Sequence, residues 1–202
     1  MTDFWELTVF EGLISMNDLY GKTRWESDDS FKESWHDRIR KLTEWISENK
    51  KVLDLGSGDL YAKDILVDKG CQYFDLDWKK RREETFVCDL NKRPLPKIEK
   101  FDYTIASGVL EYVIGLEEIF EWIALHSNFL LASFFPIETK NDLISYQKEI
   151  QDRISKGMTN HLCLHDLVSV VSKEFTITDT SIWRKQILLF CKSNRLIKWK
   201  SE

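Results

Sequence analysis

The sequence predicts a doubly wound α/β domain built on a seven-stranded, mostly parallel sheet. From residue 51 onward, short apolar runs alternate with segments of helical periodicity. This alternation is typical of parallel strands joined by right-handed crossover helices. The last two apolar runs are separated by only a tight turn, so they must pair as a hairpin. We therefore expect one strand near the C-terminus to run antiparallel to the others.

The first fifty residues are expected to be helical and separate from the domain formed by residues 51–202. Trp35, Ile39, Leu42 and Ile46 recur at helical spacing, which predicts an amphipathic helix over residues 34–48. Residues 4–19 are rich in apolar side chains and predict a second helix. We expect this N-terminal segment to form a helical lid over the main domain.

The rest of the chain divides into strands and helices with clear boundaries. Glycine follows the first strand and also the helix after it, which marks the end of each element. The predicted strands cover residues 52–55, 72–76, 85–88, 101–106, 129–134, 175–183 and 186–192. The predicted helices in this part cover residues 61–69, 116–124, 142–155 and 165–173.

Composition and charge restrict the class of protein. The chain has 202 residues, 43% hydrophobic and 31% charged, which is typical of a globular domain with a short addition. The net charge is −5, and this makes a nucleic-acid partner less expected, because proteins that bind the phosphate backbone are usually basic. The basic run from Lys79 to Arg82 is interpreted as a solvated turn.

Location and metal content are also predicted from the sequence. The N-terminus lacks the basic start and apolar stretch of a signal peptide, and no apolar run reaches the ~20 residues of a membrane span. The four cysteines form no Cys-x-x-Cys pair, and no histidine lies at zinc-ligand spacing beside them, so no metal site is expected. We expect a cytoplasmic protein without a membrane span; the oligomeric state is left open.

The main chemical motif lies at the end of the first strand. Asp54-Leu55-Gly56-Ser57-Gly58 ends that strand and leads into a helix. Glycines at this position let the backbone turn sharply and approach a ligand at the carboxyl edge of the sheet. A tight turn without a ligand would have the same sequence, so this motif alone leaves both interpretations open.

Two carboxylates follow at the ends of the next two strands. Asp77 ends the second strand, about 20 residues after the glycines, where an acidic side chain can accept hydrogen bonds from both ribose hydroxyls. Asp75 lies deeper in the same strand, so we favour Asp77. Asp89 ends the third strand, where a carboxylate can accept from the exocyclic amine of adenine. Asp89 could also simply initiate a turn.

Together with residues 101–113, these motifs resemble the class I S-adenosylmethionine-dependent methyltransferases. The resemblance covers residues 51–192 and implies a Rossmann-like fold, S-adenosylmethionine as cofactor and S-adenosylhomocysteine as product. It implies that Asp77 holds the ribose, that Asp89 and Leu90, with Cys88 beside them, hold the adenine, and that Ser107 and Gly108 lie beneath the sulfonium. The residues implied to border the methionine part are Asp54, Gly56, Ser57 and Gly58.

The sequence departs from the pattern of this family at two points. Leu60 stands where the family often has glycine or another small residue, and the link between the second and third strands is short. Residues 88–91 and 107–112, with Asn160-His161-Leu162, resemble a bacterial subgroup that modifies polysaccharides or small metabolites. Our hypothesis from the sequence is a small polar acceptor, methylated at oxygen, such as a sugar or glycan precursor.

Residues that could act on the acceptor are less clearly marked. His161 is our first candidate for a general base or acceptor contact, and Glu111 and Tyr112 are the next candidates. Glu111 and Tyr112 could equally be polar residues at the start of a helix without a catalytic role. Candidate acceptor walls are Tyr20, Arg24, Trp25, Trp35 and Arg38. Arginines there would suit a phosphorylated or carboxylated acceptor.

Three alternatives stay open at this point. The acceptor could be a protein or RNA, although the Asp/Asn-Pro-Pro-aromatic motif of adenine methyltransferases is absent after the fourth strand. A nicotinamide-dependent oxidoreductase would have an all-parallel sheet. A binding module without activity would have a cleft filled by side chains such as Leu60 or Trp78.

Overall fold

The computed structural model describes residues 22–26, 31–138 and 142–195. The predicted helix over residues 4–19 and the candidate acceptor residue Tyr20 lie outside these ranges. A 3-10 turn, Lys22–Trp25, comes first, and a second 3-10 turn, Leu110–Tyr112, follows the fourth strand.

Seven strands form one sheet in the order β3-β2-β1-β4-β5-β7-β6. The first five strands are mutually parallel, whereas β7 is antiparallel to both β5 and β6. The strands are β1 (Lys51–Leu55), β2 (Gln72–Asp77), β3 (Phe86–Val87), β4 (Phe101–Ser107), β5 (Ser127–Phe134), β6 (Phe175–Trp183) and β7 (Gln186–Ser193). The predicted fold class, with one antiparallel strand near the C-terminus, is confirmed. The all-parallel sheet expected of a nicotinamide-dependent oxidoreductase is not found.

Five α-helices accompany the sheet in the described ranges. They are α1 (Glu33–Glu44), α2 (Tyr61–Asp68), α3 (Leu116–His126), α4 (Leu143–Ser155) and α5 (Leu164–Val171). The start of α4 is capped by Asp142, whose carboxylate accepts a hydrogen bond from the backbone N–H of Ser145 at 2.7 Å, as an N-cap side chain does.

The core consists of two apolar clusters, one on each face of the sheet. Alternate residues of β1 point to opposite faces, and Leu53 and Leu55 belong to one cluster while Val52 belongs to the other. Leu42 of α1 is fully buried in the same cluster as Val52. This packing places the N-terminal helix α1 against the sheet.

Two predicted elements differ in length from those observed. The helix predicted over residues 34–48 ends at Glu44. Ile46 lies in the turn that follows and is only 3% exposed, so it is buried although it is outside the helix. Strand β3 has only two residues, since the Thr85 hydroxyl accepts hydrogen bonds from the N–H groups of Arg81 and Arg82 and holds the preceding chain in a turn.

Candidate active site

A cleft lies at the carboxyl ends of β1, β2, β3 and β4, where ligands bind in open α/β sheets. One side of the cleft is covered by α1 and by residues 22–26. We call residues 22–26 alone the strap. The predicted site residues that line this cleft are Trp25, Trp35, Arg38, Asp54, Gly56, Ser57, Gly58, Asp77, Cys88, Asp89, Leu90, Ser107, Gly108 and Tyr112.

The glycine turn after β1 forms the floor of the cleft. Gly56 and Gly58 have φ angles of +66° and +57°, which favour glycine. A Cβ on Gly58 would lie 2.6 Å from Cε1 of Phe31. Ser57 is 6% exposed, and its hydroxyl has no hydrogen-bond partner among the described residues. The turn therefore offers bare backbone and a free buried hydroxyl to a ligand.

Asp77 joins the first and second strand ends directly. Its Oδ2 accepts a hydrogen bond from the N–H of Gly58 at 3.0 Å, and its Oδ1 accepts one from the N–H of Lys79 at 3.0 Å. Nε of Arg81 lies 3.3 Å from Oδ2. Asp77 is 2% exposed, so this carboxylate is held firmly beside the glycine turn.

Asp89 lies at the third strand end, next to Asp77. The N–H of Cys88 donates to the carbonyl of Asp77 at 2.8 Å. Oδ1 of Asp89 accepts from the N–H of Asn91 at 3.0 Å, which is the turn-forming contact considered above. Oδ2 pairs with the ammonium of Lys22 in the strap. Asp89 thus stabilises a turn and also presents one oxygen to the cleft.

Asp54 places a third carboxyl group on the cleft wall. It is 5% exposed and accepts a hydrogen bond from the hydroxyl of Tyr73 at 2.8 Å. Burial raises the pKa of Asp54 to about 7, and the nearby carboxylates of Asp75 and Asp77 add to this shift. Around neutral pH, this carboxyl group can therefore gain or lose a proton.

Arg38 lies over the end of β4. Its Nε donates to the hydroxyl of Ser107 at 2.9 Å, and its Nη1 donates to Oε1 of Gln186 at 3.0 Å. Its Nη2 lies 2.7 Å from the position that a Cβ on Gly108 would take. Burial lowers the pKa of the Arg38 guanidinium, and the charge of Glu111 partly offsets this effect.

The Arg38 guanidinium is held in place with one edge available. It is 7% exposed and lies 5.5 Å from the centroid of the Trp183 ring. Within the described ranges it forms no salt bridge, and Nη2 has no hydrogen-bond partner. A buried arginine remains charged, and a buried charge is unfavourable without an anionic partner. The chemistry of this site favours an anionic group beside Gly108.

The three candidate catalytic residues do not all reach the cleft. Tyr112 lines it and contacts the ring of Trp25 edge to face, with ring centroids 5.6 Å apart. Burial, followed by the charge of Glu111, raises the pKa of Tyr112 to about 12. This hydroxyl therefore stays protonated near neutral pH and can donate a hydrogen bond.

Glu111 and His161 lie outside the cleft lining. Glu111 is 2% exposed and accepts a hydrogen bond from the N–H of Phe135 at 2.8 Å; burial raises its pKa. Nδ1 of His161 lies 3.4 Å from Nε of Arg153. Burial and the charge of Arg153 lower the pKa of His161. Both side chains belong to a cluster behind the cleft wall.

This cluster supports the turn that carries Tyr112. The side-chain amide of Asn160 donates to the carbonyls of Leu110 and Val113, at 2.6 and 2.5 Å. The guanidinium of Arg153, which is 1% exposed, donates to the carbonyls of Phe135 and Asn160, both at 2.8 Å. Neither Asn160 nor Arg153 was recognised as a support residue from the sequence.

The basic run between β2 and β3 was misinterpreted in part. The side chain of Arg81 is 4% exposed beside Asp77, and Arg82 pairs with Asp75 at 2.6 Å. Only Lys80 behaves as a solvated residue. The acidic residues four and seven positions earlier could have indicated these pairs, because a tight turn brings both groups to one strand end.

Other cleft residues also escaped the sequence analysis. Lys22, Phe31, His36 and Asp59 line the cleft, and Nε2 of His36 lies 2.7 Å from Oδ2 of Asp59. Lys22, Phe31 and His36 precede the sheet domain and no motif marks them, whereas Asp59 directly follows the glycine motif but was assigned no role. Arg24, by contrast, is exposed and stacks over the ring of Trp25 at 4.9 Å.

The departure at Leu60 is accommodated by the backbone. Leu60 has φ +62°, the left-handed conformation that glycine favours, and it precedes α2. Leu60 is not among the residues that line the cleft, whereas Trp78 is. Of the two side chains that the binding-module alternative named, Leu60 therefore does not fill the cleft, and Trp78 forms part of its wall.

Two further properties concern the described residues only. Within them, no group of three or more histidine, cysteine or acidic side chains is arranged to hold a metal ion. No helix in these ranges is long and apolar enough to cross a membrane.

Comparison with known proteins identifies the fold. No family model and no curated protein matches the sequence. A methyltransferase from Haloferax volcanii, solved with the Trm112 methyltransferase activator, matches with TM-score 0.66, 15% identity, and 89% of this chain and 99% of that chain covered. The N-methyltransferase NodS from Bradyrhizobium japonicum WM9, in complex with S-adenosylhomocysteine, matches with TM-score 0.62 and 10% identity, and 88% of this chain and 99% of that chain are covered.

A third solved structure gives the same result. Magnesium protoporphyrin IX methyltransferase (ChlM) from Synechocystis PCC 6803, with bound S-adenosylhomocysteine, matches with TM-score 0.62 and 15% identity, and 88% of this chain and 96% of that chain are covered. The chain therefore has the fold of the class I S-adenosylmethionine-dependent methyltransferases.

Proposed function

We propose that this protein is an S-adenosylmethionine-dependent methyltransferase that acts on a small polar acceptor. The observation that carries the proposal is the direct hydrogen bond between Gly58 and Asp77, with Asp89 at the adjacent strand end. One adenosyl ligand can then contact glycine backbone, a ribose-binding carboxylate and an adenine-binding carboxylate in the same cleft.

The charges at the other end of the cleft suit the methionine part of the cofactor. Its α-carboxylate needs a cation, and the available edge of Arg38 lies beside Gly108. Its α-ammonium needs an anion, and Asp54 supplies one when ionised. We therefore reassign Arg38 from the acceptor wall to the cofactor carboxylate, because a buried guanidinium binds a carboxylate strongly.

The chain's contribution to methyl transfer is mainly positioning. S-adenosylmethionine supplies a methyl group activated on a sulfonium. Trp25, Trp35 and Tyr112 form walls that hold an acceptor near the end of β4 and exclude water, and such alignment can lower a barrier by ~7–11 kcal/mol. Tyr112, protonated near neutral pH, orients an acceptor by donating a hydrogen bond. His161 and Glu111 would act only through the turn that they support.

We also propose that oxygen is the methylated atom and that the acceptor is a sugar or glycan precursor. The support is the resemblance of residues 88–91, 107–112 and 160–162 to the subgroup described above, together with the aromatic walls; the rings of Trp25 and Trp35 lie 5.7 Å apart. Incubation with a labelled methyl donor and matched hydroxyl and amino sugars tests this part. Label only in the amino sugars would contradict it.

Calorimetry tests the cofactor proposal. We expect the native chain to bind S-adenosylhomocysteine and not NAD, and Asp77→Asn to weaken binding by about tenfold or more, since it removes a charged hydrogen-bond acceptor. Asp68→Asn, at the exposed end of α2, is the matched control. No binding by the native chain would contradict the enzyme proposal, and equal binding by Asp77→Asn would contradict the ribose role.

A further inference from the structure

The strap lies across the groups that the proposed cofactor would use. Its carbonyls at Trp25 and Glu26 accept hydrogen bonds from Nη2 of Arg81 and Nζ of Lys79, respectively. Its first residue, Lys22, reaches into the cleft and pairs with Asp89. The strap is thus attached to the ends of β2 and β3 rather than resting loosely on the surface.

The ammonium of Lys22 lies at the adenine end of the proposed cofactor site, where it donates a hydrogen bond as an adenine amine would. Its ammonium donates to Oδ2 of Asp89 and lies 5.5 Å from the centroid of the Trp78 ring. The side chains of Lys22 and Asp89 are only 13% and 15% exposed. The second oxygen of Asp89 is already used by the N–H of Asn91.

Of the two oxygens of Asp89, the one that faces the cleft already accepts a hydrogen bond from Lys22. If the cofactor binds as proposed, its exocyclic amine and the Lys22 ammonium approach this same oxygen. We infer that Lys22 is an internal competitor of the cofactor, a built-in ligand that must leave Asp89 before adenine can bind. This inference rests on the proposed function and adds a regulatory contact to the same site.

Arg81 couples this exchange to the ribose end of the cleft. Its Nε lies 3.3 Å from Oδ2 of Asp77, and its Nη2 holds the carbonyl of Trp25. A ribose that binds Asp77 competes with Arg81 for the same oxygen, and the Arg81 guanidinium also holds the strap. Cofactor binding at either carboxylate therefore acts on a side chain that attaches the strap to the sheet.

Lys22→Met tests the competition directly, because it removes the ammonium and keeps an apolar stem beside Trp78. We expect the dissociation constants of S-adenosylhomocysteine and of adenosine to fall about two- to fivefold, the range expected for loss of a partly exposed ion pair. Lys80→Met, which removes an exposed lysine outside the cleft lining, should leave both constants unchanged. Unchanged or weaker binding by Lys22→Met would overturn the inference. Failure of the native chain to bind either S-adenosylhomocysteine or adenosine would overturn the proposed function rather than this inference.

Discussion

Single residues at the strand ends carry charges that the fold holds away from water. Asp54, Asp77 and Asp89 come from three successive strands, and each already accepts a hydrogen bond from the chain itself. Such bonds fix the direction of a carboxylate before a ligand arrives. Two of these residues are buried, and their environments differ in ways that can be measured.

Asp54 should make stability depend on pH. The pKa of Asp54 is about 7 in the folded chain, above the 3.8 of an aspartate free in water, so the folded state binds the proton more tightly. The free energy of unfolding should therefore fall as pH rises from about 4 to about 7, by up to ~1.4 kcal/mol per pH unit from this group. Denaturant unfolding of the native chain and Asp54→Asn should show a difference that changes between about pH 4 and about pH 7. A difference independent of pH would contradict the assigned pKa.

Arg38 should discriminate between ligands with and without a carboxylate. We expect Arg38→Gln to weaken S-adenosylhomocysteine binding about ten- to hundredfold, because a charge-assisted hydrogen bond is lost. Binding of 5′-methylthioadenosine, which lacks the amino-acid part, should change little. Arg40→Gln, on the same helix but exposed, is the control in calorimetry. Equal losses for both ligands would show that Arg38 acts only on the fold.

At the scale of elements, the strand ends could be predicted because each apolar run has a clear end and glycines follow the first of them. β1 and the turn at Gly56–Gly58 follow from one apolar run and two glycines. β3 was predicted too long, since the hydroxyl of Thr85 forms a turn that competes with pairing. The contact of the strap with Asp89 was not predictable, because it joins residues 67 positions apart and no periodic pattern links them.

The glycine turn should be sensitive to a single added methyl group. Gly58→Ala would place a Cβ 2.6 Å from the Phe31 ring at a φ of +57°, so we expect a loss of about 1–2 kcal/mol in stability and weakened S-adenosylhomocysteine binding. Gly70→Ala is a matched control, because its φ is +71° and its Cβ would lie 2.5 Å from Oδ1 of Asn49, outside the cleft.

Thermal unfolding and calorimetry on both glycine variants separate strain from ligand contact. Both should unfold at lower temperature, but only Gly58→Ala should lose affinity. Comparable affinity losses in the two variants would mean that the glycine turn has no special relation to the ligand.

At the scale of the whole molecule, the strand order brings the site together. From β1 the chain adds β2 and β3 on one side of the sheet and then β4 and β5 on the other side. Such a change of side opens a crevice at the carboxyl ends of the central strands, where open α/β sheets bind ligands. The parallel β1–β5 and the presence of one antiparallel strand near the C-terminus follow from the alternation of elements and the terminal hairpin, whereas the order of the strands in the sheet was not predicted. The acceptor walls depend on how the strap and α1 pack, which the sequence pattern does not determine.

Ligand binding should stabilise the entire domain. At a free concentration about 100 times its dissociation constant, a ligand specific for the folded state adds about 2.7 kcal/mol, which corresponds to a rise of about 5–10 °C in melting temperature for a chain of this size. We expect this rise with S-adenosylhomocysteine for the native chain and a much smaller one for Asp77→Asn at the same concentration. A rise of equal size in both proteins would contradict binding at Asp77.

The most direct measurement is a crystal structure of the native chain grown with S-adenosylhomocysteine. We predict that the ribose hydroxyls contact the carboxylate of Asp77, that the adenine amine replaces the ammonium of Lys22 at Asp89, and that the backbone of Gly58 borders the ligand. A ligand bound elsewhere, with Asp77 and Asp89 still held only by their own chain, would contradict the proposal that these strand ends form one cofactor site.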